Sequence, residues 1–205
     1  MTGPVDRPSE AAASRSTAVE GVELRESSVG ERPPVLALLP HYGEAKDSID
    51  AVETLKASGY PDLHIVIVDN SDNFPDLDDM TGVEILRPGE NVGYCAAVNL
   101  GLKRADALDY PLFLLVNNDT ETEQGSIEGL VDALLSDEDA AGVGPLLTTA
   151  GGDKIWSAGA FLRFGPNEVI QRGIGQGIEE APKHPCTVDF LPGAFALYRS
   201  ADLVA

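Results

Sequence analysis

The 205-residue chain carries 34 acidic against 14 basic side chains, a formal net charge of −20. A surface that acidic disfavours a nucleic-acid backbone or an anionic membrane as the main partner, and 43% hydrophobic residues exclude wholesale disorder. Lysine occurs only at Lys46, Lys56, Lys103, Lys154 and Lys183, so ion pairs do not balance the acidity and the composition is halophile-like.

Two cysteines, Cys95 and Cys186, make neither a disulfide framework nor a C-x-x-C metal pattern. They read as ordinary buried small residues. The N-terminal MTGPVDRPSEAAASRS lacks the apolar stretch of a secretory signal, and no apolar run approaches the roughly 20 residues of a membrane span. The expected location is the cytoplasm, including its periphery at the inner face of the membrane.

Residues 1–33, rich in Ala, Ser, Glu, Arg and Pro without apolar periodicity, read as a disordered polar tail. Residues 34–205 read as one domain. Val35 to Leu39 is a continuous apolar run closed by Pro40, a buried strand. Ala45 to Ala57 places Ile49, Val52 and Leu55 on one helical face, with Gly59 as the stop signal. Leu63 to Val68 is a β-branched strand, and Val83 to Leu86 a short third one. Tyr94 to Ala107 has a helical pattern, Leu112 to Val116 is a fourth buried strand, and Ile127 to Leu135 is an amphipathic helix. Ala141 to Leu147 reads as a further strand. This alternation predicts an α/β fold with a mostly parallel sheet and helices on both faces. The glycine-punctuated pieces over 155–198 predict an antiparallel C-terminal extension of that sheet.

Ligands in open α/β sheets bind beyond the carboxyl ends of the strands. The segments that follow the first four strands are Pro40-His41-Tyr42-Gly43-Glu44, Asp69-Asn70-Ser71-Asp72, Arg87-Pro88-Gly89-Glu90-Asn91-Val92-Gly93 and Asn117-Asn118-Asp119-Thr120. Polar and acidic residues therefore converge on one edge, with His41 expected at its rim. No G-x-G-x-x-G, Walker A or G-x-S-x-G motif stands there. The most informative piece is LFLLVNNDT, which delivers amide oxygens and a carboxylate at a strand's open end. Hard divalent cations accept such ligands and share them with phosphate oxygens. An Asx turn uses the same residues, so the motif alone leaves both readings open. Asp69 likewise suits either a base or ribose contact or a turn cap. Asn91-Val92-Gly93 suits either a ligand or a helix cap. The run Ser136-Asp137-Glu138-Asp139 lacks EF-hand spacing and reads as a solvated loop.

The ordered set PHYGE, IVIVDNSD, ENVGYCAAVNLGL, LFLLVNNDT, IWSAGA and DFLPGAFALYR resembles the family 2 glycosyltransferases of the GT-A fold, in particular their rhamnosyltransferase-like branch. The resemblance covers Val35 to Ala205. It implies a nucleotide-diphospho-sugar donor (UDP- or dTDP-linked), a divalent metal (Mg²⁺ or Mn²⁺), and transfer with inversion to an acceptor hydroxyl on a glycan or lipid-linked molecule. By position, Asp69 would contact the nucleoside, Tyr42 and Glu44 would line the base pocket, and Asn91 and Gly93 would shape the donor site. Asn118 and Asp119 occupy the D-x-D position, with Asp119 as metal ligand. Gly193 and Ala194 match the acceptor-side segment, and Trp156, in a W-S-A-G motif, reads either as a sugar-stacking residue or as core.

The sequence departs from the family at two places. Cys95-Ala96-Ala97-Val98-Asn99 stands where many members have A-G-G-N-N, which narrows backbone approach and removes an amide at Val98. The family's acidic E-D motif, which supplies the catalytic base, is absent from the residues given, so the chain reads as a C-terminally truncated member. Asp189 is the one substitute to consider as a base, and it reads more naturally as a loop-positioning carboxylate. Two other readings stand beside this one. A non-catalytic nucleotide-sugar-binding module or inactive fragment would bind donor without transfer. A nucleotidyltransferase would need a basic, glycine-rich loop after the first strand, where only Arg87 among the early loops is basic.

Overall fold

The computed structural model describes residues 32–77, 81–165 and 168–203. The tail expected over residues 1–33 lies outside the described residues except for Arg32 and Pro33.

In chain order the elements are β1 (Val35–His41), α1 (Ala45–Ala57), β2 (Leu63–Asp69), β3 (Val83–Leu86), α2 (Tyr94–Ala107), β4 (Leu112–Val116) and α3 (Ser126–Leu135). Then follow β5 (Gly142–Val143), β6 (Leu147–Thr148), β7 (Ile155–Ser157), β8 (Ala160–Arg163), β9 (Glu168–Gln171), a 3₁₀ turn (Ile178–Glu180), β10 (Phe195–Arg199) and α4 (Ser200–Leu203). The main sheet has the order β3-β2-β1-β4-β10-β5. Strands β3, β2, β1 and β4 are parallel, and β10 runs antiparallel to both β4 and β5.

The apolar runs form central strands because both faces of this sheet are covered. On one face Val35, Ala37, Leu39, Ile65, Ile67, Leu112 and Leu114 pack against Val52 and Leu55 of α1 and Ile127, Val131 and Leu134 of α3. On the other, Leu36, Leu38, Val66, Val68 and Phe113 pack against Ala97 and Ala105 of α2. The period-two alternation of β1 thus feeds two cores at once. Gly101 lets α2 approach closely: a Cβ there would lie 2.4 to 2.8 Å from atoms of the Leu38 side chain. At the start of β1, Tyr60 donates its hydroxyl to the Pro33 carbonyl at 2.6 Å, and burial pushes its phenol up to about 12.

Two expected elements differ. The strand expected over Ala141 to Leu147 is split into β5 and β6, because Gly144-Pro145 interrupts it and proline supplies no ladder donor. Over 155–198 only β10 joins the main sheet. The other pieces form two ribbons of their own, β6-β7 and β8-β9. Both cysteines, expected in the core, are free and exposed.

The chain runs β1, β2, β3 outward on one side of β1 and then returns to place β4 on the other. Strand order therefore reverses beside β1, the position at which such sheets open a crevice. The ends of β1 and β2 lie side by side, with His41 opposite Asp69, so the loops that follow them face one another.

Candidate active site

A cleft of about 450 Å³ opens at this edge, lined by Tyr42, Gly43, Asn70, Ser71, Asp72, Asn73, Glu90 and Asn91. Its walls are the loops after β1 and β2 and the segment leading into α2. Gly43, at φ +96°, turns the first wall through a conformation that side chains disfavour. Its N–H donates to the Ser71 Oγ at 2.8 Å, and its carbonyl accepts the Asn73 side-chain amide at 3.1 Å. The third wall is tied on by Asn70, whose Oδ1 accepts the Val92 N–H at 3.3 Å.

Asp69 organises the floor. Its side chain is fully buried. One carboxylate oxygen accepts the N–H groups of Ser71 at 3.1 Å and Asn73 at 3.4 Å. The other accepts the Phe74 N–H at 2.9 Å and the Arg87 guanidinium at 2.8 Å. Burial pushes the carboxyl up, but the three backbone N–H groups of Phe74, Ser71 and Asn73 more than offset it and hold the group below the ordinary range. Arg87 also donates to the Phe74 carbonyl and pairs with Asp76. Its charge is thus committed within the loop, and none of the residues lining the cleft is cationic.

The β4 end completes the edge. Asn118 donates its side-chain amide to the Tyr42 carbonyl at 3.4 Å, joining the β4 loop to the first wall. The Tyr94 hydroxyl, on the first turn of α2, lies 3.2 Å from the Asn117 Oδ1 and 3.4 Å from the Gly193 carbonyl. The Asn117 N–H donates to the Ala194 carbonyl at 2.9 Å, and Thr120 reaches the same carbonyl with its hydroxyl. Gly193 and Ala194 are therefore bound to the Asn-Asn-Asp loop, and a Cβ on Gly193 would sit 3.2 Å from the Tyr94 hydroxyl. Asp119 is exposed, and no donor among the described residues engages its carboxylate.

The remaining expected residues divide. Asn91 lines the cleft, and its Oδ1 accepts the Gly93 N–H at 2.9 Å. Gly93 precedes α2 at φ +79°. Glu44 is exposed at the N-cap of α1 without a capping bond and does not line the cleft. Trp156 stands on the β6-β7 ribbon, 40% exposed, so it is not core. Asp189 is exposed and accepts the Leu162 N–H at 3.0 Å, fastening β8. Ala97 is buried against the sheet and Val98 packs beside it, so two of the family-departing positions serve the core. His41, expected at the rim, is fully buried.

Among the described residues no three His, Cys, Asp or Glu side chains gather as a metal cage. The donor set fits a divalent cation only in a shared site. One unengaged carboxylate, Asp119, and the neighbouring Asn118 amide would hold one side of the ion, and a ligand's phosphate oxygens the other.

The model of the Glycosyl transferase family 2 matches residues 37–203. The chain belongs to glycosyl transferase family 2. Proteins of Mycobacterium tuberculosis and Mycobacterium bovis, both carrying the name "uncharacterized protein", are 32% identical to this family 2 chain over 117 residues, 55% of its length. The chain spans 42% of the length of these curated relatives. Among solved structures, S. aureus TarS 1-349 aligns with TM-score 0.52 and 16% identity over 83% of this chain and 48% of its own. A mannosyltransferase of Pyrobaculum calidifontis, solved with GDP-Man and Mn²⁺, aligns with TM-score 0.44 and 19% identity over 58% of this chain and 37% of its own. The strand order and the helices on both faces are those of the GT-A fold, which this family 2 domain adopts.

Three elements of the site were not singled out from sequence. Arg87 neutralises Asp69, Tyr94 bridges Asn117 and Gly193, and Asn73 spans the two walls. Only Arg87 carried a signal, as the single basic residue of the early loops.

Proposed function

We propose that this family 2 domain binds a nucleotide-diphospho-sugar, UDP- or dTDP-linked, and presents its anomeric carbon to an acceptor hydroxyl for transfer with inversion. The observation that carries the reading is the convergence of an amide-rich cleft, whose lining holds no cation, with an unengaged carboxylate, Asp119, at the end of the central strand β4. Tyr42, Asn73 and Asn91 supply contacts for a base and ribose. Asp69 shapes that pocket from below, since its oxygens are already occupied by the chain's own donors. Asn118 and Asp119 would hold a divalent cation, which supplies charge neutralisation for the departing diphosphate. Gly193 and Ala194 border the acceptor side, and the Tyr94 hydroxyl fixes their position against the metal-binding loop. The W-S-A-G and D-F-L-P-G-A-F-A-L-Y-R segments support the rhamnosyltransferase-like branch, hence a glycan or lipid-linked acceptor and a role in polysaccharide assembly.

One observation favours donor binding without turnover as the second reading. Asp189, the acceptor-side carboxylate considered as a base, is used to hold β8. A nucleotidyltransferase is disfavoured because the cleft lining contains no cation to meet a triphosphate.

Calorimetric titration with UDP and dTDP, with and without Mn²⁺, tests the proposal. Binding should be strengthened by the metal, and Asp119→Ala should abolish that strengthening while circular dichroism stays native. A folded wild type that binds neither nucleotide at any salt concentration overturns it.

A further inference from the structure

A buried histidine is the least explained polar group of the cleft. His41 is fully buried, packs edge-on against Phe74 with ring centroids 5.0 Å apart, and has both ring nitrogens engaged. Nδ1 lies 2.6 Å from the Ser48 Oγ of α1, and Nε2 lies 3.0 Å from the Asn73 Oδ1.

The proton positions follow from the Gly43 carbonyl. That oxygen can only accept, so the Asn73 amide nitrogen, 3.1 Å away, is the group that faces it. The Asn73 oxygen then faces His41, so Nε2 carries the proton and donates it, and in the neutral ring Nδ1 accepts from the Ser48 hydroxyl. The histidine thereby fixes which way the asparagine amide points. Asn73 is exposed and lines the cleft. Its amide nitrogen has two N–H bonds, of which one serves Gly43, and the other has no acceptor among the described residues.

We propose that Asn73, oriented by His41, donates this second N–H to a carbonyl oxygen on the donor's nucleobase, selecting keto bases over amino bases. The inference rests on the reading of the cleft as a donor-nucleotide site. Uracil and guanine present a carbonyl where cytosine and adenine present an amino group, and an amide N–H aimed at an amino group is left facing another donor. His41 is a positioning residue: it touches no ligand and acts through Asn73.

The test is the ratio of dissociation constants for UDP against CDP and for GDP against ADP, each with Mn²⁺, on the intact chain. The wild type should favour the keto member of at least one pair by about ten-fold or more. Asn73→Asp, which puts an acceptor where the donor was but still accepts from His41, should move that ratio about ten-fold or more toward the amino base. His41→Phe keeps the ring that packs on Phe74 but loses the N–H, and should bring the ratio toward one. His41→Gln, which keeps an N–H, should retain more of the preference. A purely structural role would lower affinity for all four nucleotides together and leave the ratios fixed. An unchanged ratio in folded Asn73→Asp, or full preference in folded His41→Phe, overturns the proposal. Asn73 is exposed, so if His41→Phe fails to fold, the proposal stands or falls on Asn73→Asp. A folded wild type that binds none of the four nucleotides overturns the donor-site reading itself, an outcome visible before any variant is made.

Discussion

Replacing Asp69 with asparagine should destabilise the domain by about 3 kcal/mol. The substitution keeps volume and shape but replaces one of two saturated oxygens with a donor. Whichever way the new amide turns, its NH₂ meets two donors: Phe74 N–H and Arg87 on one side, or Ser71 and Asn73 N–H on the other. The longer contact, to Asn73 at 3.4 Å, makes the Ser71 side the cheaper one to lose. Hydrogen bonds to a charged group are worth about 1.5–3 kcal/mol each, and breaking a buried ion pair costs about 3–5 kcal/mol. The lower end applies here, because the Arg87 side chain is 37% exposed and keeps Asp76 and the Phe74 carbonyl as partners. For a chain of this size, about 3 kcal/mol lowers Tm by roughly 6–12 °C. Thermal unfolding followed by circular dichroism reads it directly. The pH dependence supplies a second check with a fixed sign. The folded-state carboxyl of Asp69 lies below its ordinary value, so its contribution is present above about pH 4 and is lost as pH falls through the lowered value. The wild type should therefore show a steeper loss of stability below about pH 4 than Asp69→Asn. A Tm within about 2 °C of wild type at pH 7, or parallel acid limbs, would refute the role given to Asp69.

Other consequences are as direct. Tyr94→Phe removes the hydroxyl that lies against Asn117 and Gly193; it should cost about 1 kcal/mol in unfolding experiments and weaken metal-dependent nucleotide binding more than metal-free binding. Gly101→Val should destabilise by about 2–3 kcal/mol through overlap with the buried Leu38 side chain, with denaturant melts as the readout and no change in which nucleotide is preferred. Because Asp72 and Glu90 line a cleft without a cation, metal-free binding of a nucleoside diphosphate should strengthen as NaCl rises from about 0.01 to 0.15 M; weakening over that range would point to a cation that the cleft lining does not contain.

The parallel core was legible because β1, β2 and β4 are buried on both faces and so appear as continuous apolar runs. The bounds read for the segments Ala45–Ala57, Val83–Leu86, Tyr94–Ala107 and Leu112–Val116 are those of the structure. The region after α3 was less legible. Its strands are two to five residues long, too short for a period to register, and nothing in their pattern says that β6-β7 and β8-β9 pair with each other as local ribbons rather than joining the main sheet. At the site, the strand-end loops read from sequence do meet at one edge, but the partnerships within it were hidden. Asp69 and Arg87 are 18 residues apart, and Tyr94 and Gly193 are 99 apart. Only the fold brings either pair together. His41 was misplaced at the rim for a related reason: a polar residue at a strand end reads as exposed, and its burial depends on Ser48 and Asn73 satisfying both ring nitrogens.

The most direct measurement is a crystal structure of the chain with Mn²⁺ and whichever nucleoside diphosphate binds tightest. The base should lie in the cleft between Tyr42 and the Asn70–Asn73 loop, with the diphosphate directed toward a metal on Asp119. A nucleotide bound elsewhere on the domain, or a metal that leaves Asp119 without a bond, would contradict the assignment of this edge as the donor site.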